Sequence, residues 1–120
     1  MNQKPRYQTV DFSIANGTNH LAPRKRVYDG NVIAAAVHVD GDLPNGIINL
    51  GIKSTGGTPL IDETNLKDWQ QRNGGCYISS MKPLDINGGV ELIFEFSALT
   101  VLDKDLKGQI VLVIEQSCNI

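Results

Sequence analysis

Val90-Glu91-Leu92-Ile93-Phe94-Glu95-Phe96 and, after a polar turn, Gln109-Ile110-Val111-Leu112-Val113-Ile114-Glu115 decide how this chain folds. Both are short apolar runs, rich in β-branched and aromatic residues and bounded by turn residues, which is strand composition. In the first, Val90, Leu92, Phe94 and Phe96 share one face, and Glu91, Ile93 and Glu95 share the other. A strand with one charged face turns that face to water and the opposite face to a core. The second run is apolar on both faces and so lies deeper. Nothing else in the chain is as apolar, so the two runs are read as the heart of a β-sheet.

Working outward, the rest of the chain supplies shorter strands and many turns. Thr9 to Ala15 alternates, with Val10, Phe12 and Ile14 against Thr9, Asp11 and Ser13. That is a half-buried strand at a sheet edge. The polar start of the chain, with Pro5, reads as a flexible arm over residues 1–8. Leu21 to Arg26 reads as a loop with Pro23 and a basic triplet. Asn31 to Val39 is a strand between Gly30 and Gly41, with Ile33, Ala35, Val37 and Val39 on one face and Val32, Ala34, Ala36 and His38 on the other. Its small alanines let a neighbouring layer approach closely. In Ile47 to Lys53, the residues Ile48, Leu50 and Ile52 share a face, and Gly51 suggests a bulge or a close backbone approach.

Asp62 to Arg72 is the only stretch that suits a helix, near 64–72. Thr64 is its candidate N-cap, and Trp69 is the side chain that would pin it to the body. Cys76 to Lys82 reads as a strand ended by Pro83, and Leu99 to Leu102 as a short extended piece. Seven or eight short strands, with turn signals at intervals of about eight to twelve residues, predict an all-β, antiparallel β-sandwich, as a single jelly roll. Residues 1–120 form one domain, long enough to bury a core without staples.

Composition narrows the classes of partner. Lysine and arginine total 11 against 13 acidic residues, a net charge of -2 that calls for neither nucleic acid nor membrane. Residues 1–30 hold five basic side chains against two acidic ones, and residues 31–120 hold six against eleven. The basic end is read as solvated charge on a mobile arm, with another copy's acidic body as the rival reading. Cys76 and Cys118 lack the spacing of a zinc site and are read as free thiols, with pairing left open. The start of the chain carries no signal-peptide pattern, and no run approaches the ~20 apolar residues of a membrane span.

Candidate chemistry is sparse. Asp40-Gly41-Asp42, with Asn45, resembles part of a calcium loop without its late acidic ligand, and is read as a solvated turn. His38, taken as the only strand histidine, has Ser79, Ser80 and Asp40 as nominal partners. No nucleophile-elbow pattern surrounds either serine. No cofactor is expected and the chain is not read as an enzyme. Trp69, with Tyr77, Tyr28 and Tyr7, offers the alternative of a sugar-stacking platform, which would make the chain a carbohydrate-binding sandwich.

The polar arm, the basic triplet Arg24-Lys25-Arg26, the many short strands and the turns at Gly56-Gly57, Gly74-Gly75 and Gly88-Gly89 together resemble small jelly-roll capsid or capsid-associated proteins of bacteriophages. The resemblance implies a structural protein of a virion that contacts itself or other virion proteins through an edge or an arm. Outside a virion, the cytoplasm is the expected location. The candidate subunit contact is Lys4 and Arg6 on the arm, with Val10, Phe12 and Ile14 on the first strand.

Overall fold

A computed structural model describes residues 6–44, 46–70 and 81–115. The strands are β1 (Arg6–Ile14), β2 (His20–Leu21), β3 (Arg24–Arg26), β4 (Asn31–Val39), β5 (Ile48–Ser54), β6 (Pro59–Asn65), β7 (Lys82–Asn87), β8 (Glu91–Ala98) and β9 (Leu106–Glu115). They form two antiparallel sheets packed as a β-sandwich. The first has the order β1-β9-β4-β7; the second has the order β2-β8-β5-β6, with β3 also paired to β8. His20 stands opposite Ser97 and Arg26 opposite Glu91, so β2 and β3 are two pieces of one edge strand, broken at Pro23.

The two apolar runs are central, but they do not share a sheet. β9 lies between β1 and β4, and β8 lies between β2/β3 and β5. Each is one of two inner strands of its own layer. Leu92, Phe94 and Phe96 of β8 meet Ile110, Leu112 and Ile114 of β9 within one buried cluster. Val90, expected on the same face, precedes β8 and is exposed. Phe12 of β1 joins the layers: its ring lies 4.4 Å from that of Phe96, tilted by 36°. β9 is apolar on both faces because Val111 and Val113 pack on the outside of the first sheet with Ala34, Ala36 and Met81.

β4 has the expected bounds but not the expected faces. Its register against β9 shifts between Val32 and Ala34, leaving Ile33 as an extra residue. The bulge resets the alternation. Val32 therefore shares the inner cluster with Ala35 and Val37, while Ile33 joins Ala34 and Ala36 outside. Gly51 meets the second expectation, a close backbone approach. The bulge lies opposite it on β6, and a Cβ at Gly51 would lie 2.8 Å from Glu63 Cγ and 3.0 Å from the Ile61 carbonyl oxygen.

Several expectations fail for identifiable reasons. Asp62 to Asn65 belongs to β6, and the helix shrinks to a single 3-10 turn, Leu66–Trp69. Its cap is Asn65, whose side chain accepts from the Lys67 N–H at 2.9 Å. Thr64 instead accepts from Trp69 Nε1 at 3.0 Å. Arg6 to Gln8 are not arm but the start of β1, paired with Ile114, Val113 and Leu112. The basic triplet is β3 rather than loop. Pro83 sits inside β7, which tolerates it as an edge strand. Leu99 to Leu102 is the connection between β8 and β9, with Leu102 buried and Leu99 exposed. The stretch around Cys76, and Cys118, lie outside the described residues.

Removing a fully buried Phe ring from such a layer costs about 3–5 kcal/mol. Phe94→Ala should lower the denaturation midpoint by a corresponding large step, and an unchanged urea or thermal midpoint would show the faces of β8 to be wrong. At Gly51 the obstacles include backbone of β6, so Gly51→Ala should destabilise by ~1–3 kcal/mol through overpacking. A neutral Gly51→Ala would show that β6 yields freely.

Candidate assembly surface

Among the described residues, the two sheets have four edge strands: β1 and β7 in the first, β2/β3 and β6 in the second. An open edge presents unpaired N–H and C=O groups, which proteins protect with prolines, charges, short strands or bulges. β7 carries Pro83 and Asp85 within six residues. β2/β3 is broken at Pro23 and carries Arg24, Lys25 and Arg26, all exposed. β6 begins at Pro59, bears Asp62 and Glu63, and is bulged against β5. β1 is nine residues long, with Arg6 at its start, Asp11 as its only other charge, and neither proline nor bulge in its pairing with β9.

Strand alternation places the predicted contact residues. Val10, Phe12 and Ile14 all point into the sandwich and are buried there. Their side chains belong to the core rather than to an outward face; what β1 offers outward is backbone and the exposed Thr9, Asp11 and Ser13. Arg6 is engaged at home, its guanidinium 4.0 Å over the Tyr28 ring. Lys4 lies outside the described residues.

Gln8, which sequence reading passed over, fixes β1 to the opposite sheet. Its side chain is buried, with Nε2 donating to the Arg26 carbonyl at 2.9 Å and Oε1 accepting from the Tyr28 N–H at 2.9 Å. Both polar atoms of this buried amide thus have a partner on the chain leaving β3. Alternation alone predicts an apolar residue at this position, and only the fold brings residues 8 and 26–28 together.

The alternative sugar platform loses its centre. Trp69 is fully buried, with 0% exposure, and Lys82 Nζ stands 5.4 Å from its ring. Lys82 also pairs with Asp68 at 2.5 Å. Tyr28 and Tyr7 are exposed, Tyr28 under Arg6. Tyr77 lies outside the described residues. His38 is exposed at the end of β4, in an open groove of about 480 Å³ with Asp11, Ser13, Lys107 and Gln109. Ser79 and Ser80 lie outside the described residues, as does Asn45 of the turn after Asp40. Among the described residues, no three His, Cys, Asp or Glu side chains gather as a metal site would need.

A polar network on the solvent face of the second sheet was not legible. His20, in β2 and therefore a second strand histidine, lies 2.9 Å from Glu95 Oε2. Lys53 Nζ lies 2.5 Å from Glu95 Oε1. Beside them Ser97 donates to Glu63. Hydrogen bonds from His20 and Lys53 hold the Glu95 carboxyl below its ordinary 4.5. The same carboxylate raises Lys53 above its ordinary 10.5. The network ties β2, β8 and β5 together across their outer face.

No protein-family model matches the chain, and neither does any curated protein or solved structure.

Because its folded value is depressed, the Glu95 carboxylate stabilises the fold fully above the unfolded value and loses that contribution as pH falls through the folded one. The melting-temperature gap between wild type and Glu95→Gln should be widest above pH 4.5 and close below it. A gap constant across that range would detach the network from stability.

Proposed function

We propose that this is a non-enzymatic structural protein that works through protein–protein contacts in an assembly, with a viral capsid or capsid-associated particle as the setting. With β2 and β3 counted as one strand, the first strand pairs with the last, the second with the next to last, and so inward: β1 with β9, β2/β3 with β8, β4 with β7 and β5 with β6. This nesting of pairs supports the reading of the sandwich as a jelly roll. This architecture serves viral capsids, and also lectins and cupins, so fold alone does not choose the function.

The observation that carries the choice is the uneven protection of the edges. β7, β2/β3 and β6 each combine proline with charge, while β1 is long, regular and lightly charged. A long open edge left without these devices suits a strand whose pairing partner lies outside the chain.

Deleting residues 1–15 would be a poor test, because it removes Val10, Phe12 and Ile14 from the core. The full chain, followed by multi-angle light scattering over a concentration series, is the better one. Self-association to a defined mass is expected. A chain that stays monomeric at the highest concentration reached would sink self-assembly.

A further inference from the structure

The phase of the hydrogen-bond ladder says how a second copy would meet β1, if the assembly reading above holds. The Asp40 N–H donates to the Lys107 carbonyl at 2.8 Å, one step beyond the Val39–Gly108 pair of β4 and β9. Backbone groups along a strand alternate in the side they face. Lys107, Gln109, Val111 and Val113 therefore turn theirs toward β4, and Leu106, Gly108, Ile110, Leu112 and Ile114 turn theirs toward β1. Opposite those five stand Ile14, Phe12, Val10, Gln8 and Arg6. It follows that Tyr7, Thr9, Asp11 and Ser13 direct their backbone groups away from β9, on the outer side of β1. Their side chains lie on the solvent face.

We propose that β1 pairs antiparallel with β1 of a second copy about a two-fold axis at Val10. Each Thr9 then lies opposite the other copy's Asp11, and the two first sheets run on as one. A one-residue slip is ruled out, because it would oppose outward backbone groups to inward ones and turn a core face to water. Sliding the pair so that the axis falls at Asp11 sets two carboxylates directly opposite, which is destabilising. Moving the axis to Thr9 sets Thr9 opposite Thr9 and Asp11 opposite the Tyr7 ring, so that no threonine hydroxyl faces a carboxylate. The Val10 register avoids both: each Thr9 hydroxyl can donate to the facing carboxylate, whose Oδ1 already accepts from Gln109 Nε2 at 2.8 Å and which has lone pairs to spare.

Such a pair is closed. The interface is self-complementary and consumes the β1 edge of both copies, while β7, with Pro83, ends the joined sheet on either side. The product along the sheet is a dimer rather than a filament.

Sedimentation equilibrium of the full chain and three variants tests this, with circular dichroism as the folding control. Thr9→Pro deletes an N–H that points out of the edge and leaves the β9 ladder whole. It should raise the dimer Kd by ~10-fold or more, since each dimer loses two hydrogen bonds. Thr9→Lys places an ammonium opposite Asp11 and should tighten the dimer several-fold; a weaker Thr9→Lys dimer would overturn the register in favour of Thr9 facing Thr9. Asp11→Asn should weaken the dimer, whereas tightening would mean that Asp11 faces Asp11. An oligomer unmoved by all three variants would overturn pairing at β1 and leave assembly to another surface. A monomeric wild type would overturn both readings.

Discussion

One layer of alternating side chains holds this molecule together. β1, β4, β5, β7, β8 and β9 contribute buried residues to a single apolar seam, and Phe12 against Phe96 marks where the two sheets touch. At roughly 25 cal/mol per Å² of apolar surface removed from water, such a seam is the main favourable term of folding. The turns and caps only have to deliver each strand in the right phase. Where phase would fail, the chain has a local remedy: the bulge at Ile33 turns Ala35 and Val37 inward, and Gly51 lets Glu63 lie across β5.

What was legible in the sequence follows from this. Val10, Phe12 and Ile14, or Leu92, Phe94 and Phe96, alternate because one face of each strand joins the seam. β6 gave no such signal. Its residues are exposed or half-buried throughout, so Asp-Glu-Thr-Asn resembled a helix start, and pairing with β5 alone makes it a strand. Likewise Arg24-Lys25-Arg26 carries charge where a strand usually carries β-branched residues, yet backbone bonds to β8 place it in the sheet. Local propensity loses to tertiary pairing in both cases.

The candidate assembly surface was half legible. The edge character of β1 shows in its alternation, but the same alternation means that the apolar residues marked for contact belong to the core. The polar network was hidden for another reason. His20 and Glu95 are 75 residues apart, and neither is unusual for its own segment. Only the stacking of β2, β8 and β5 makes a histidine, a carboxylate and a lysine neighbours. Gln8 has the same character, a polar residue in a core-facing position that makes sense once the chain leaving β3 passes beside it.

That glutamine changes how the edge opens. An edge strand ordinarily frays from its end, because its outermost backbone bonds are lost one at a time. Peeling the start of β1 would pull the Gln8 amide away from Arg26 and Tyr28, breaking two side-chain bonds at the corner that leads into β4 as well as the strand's own ladder. Each such bond contributes ~0.5–1.5 kcal/mol net. Strand end and corner therefore unlock together or stay closed together. A strand with such a clasp keeps its shape while its outer side stands empty, and it resists being traded between copies, since a swapped strand would have to rebuild the clasp in its new host.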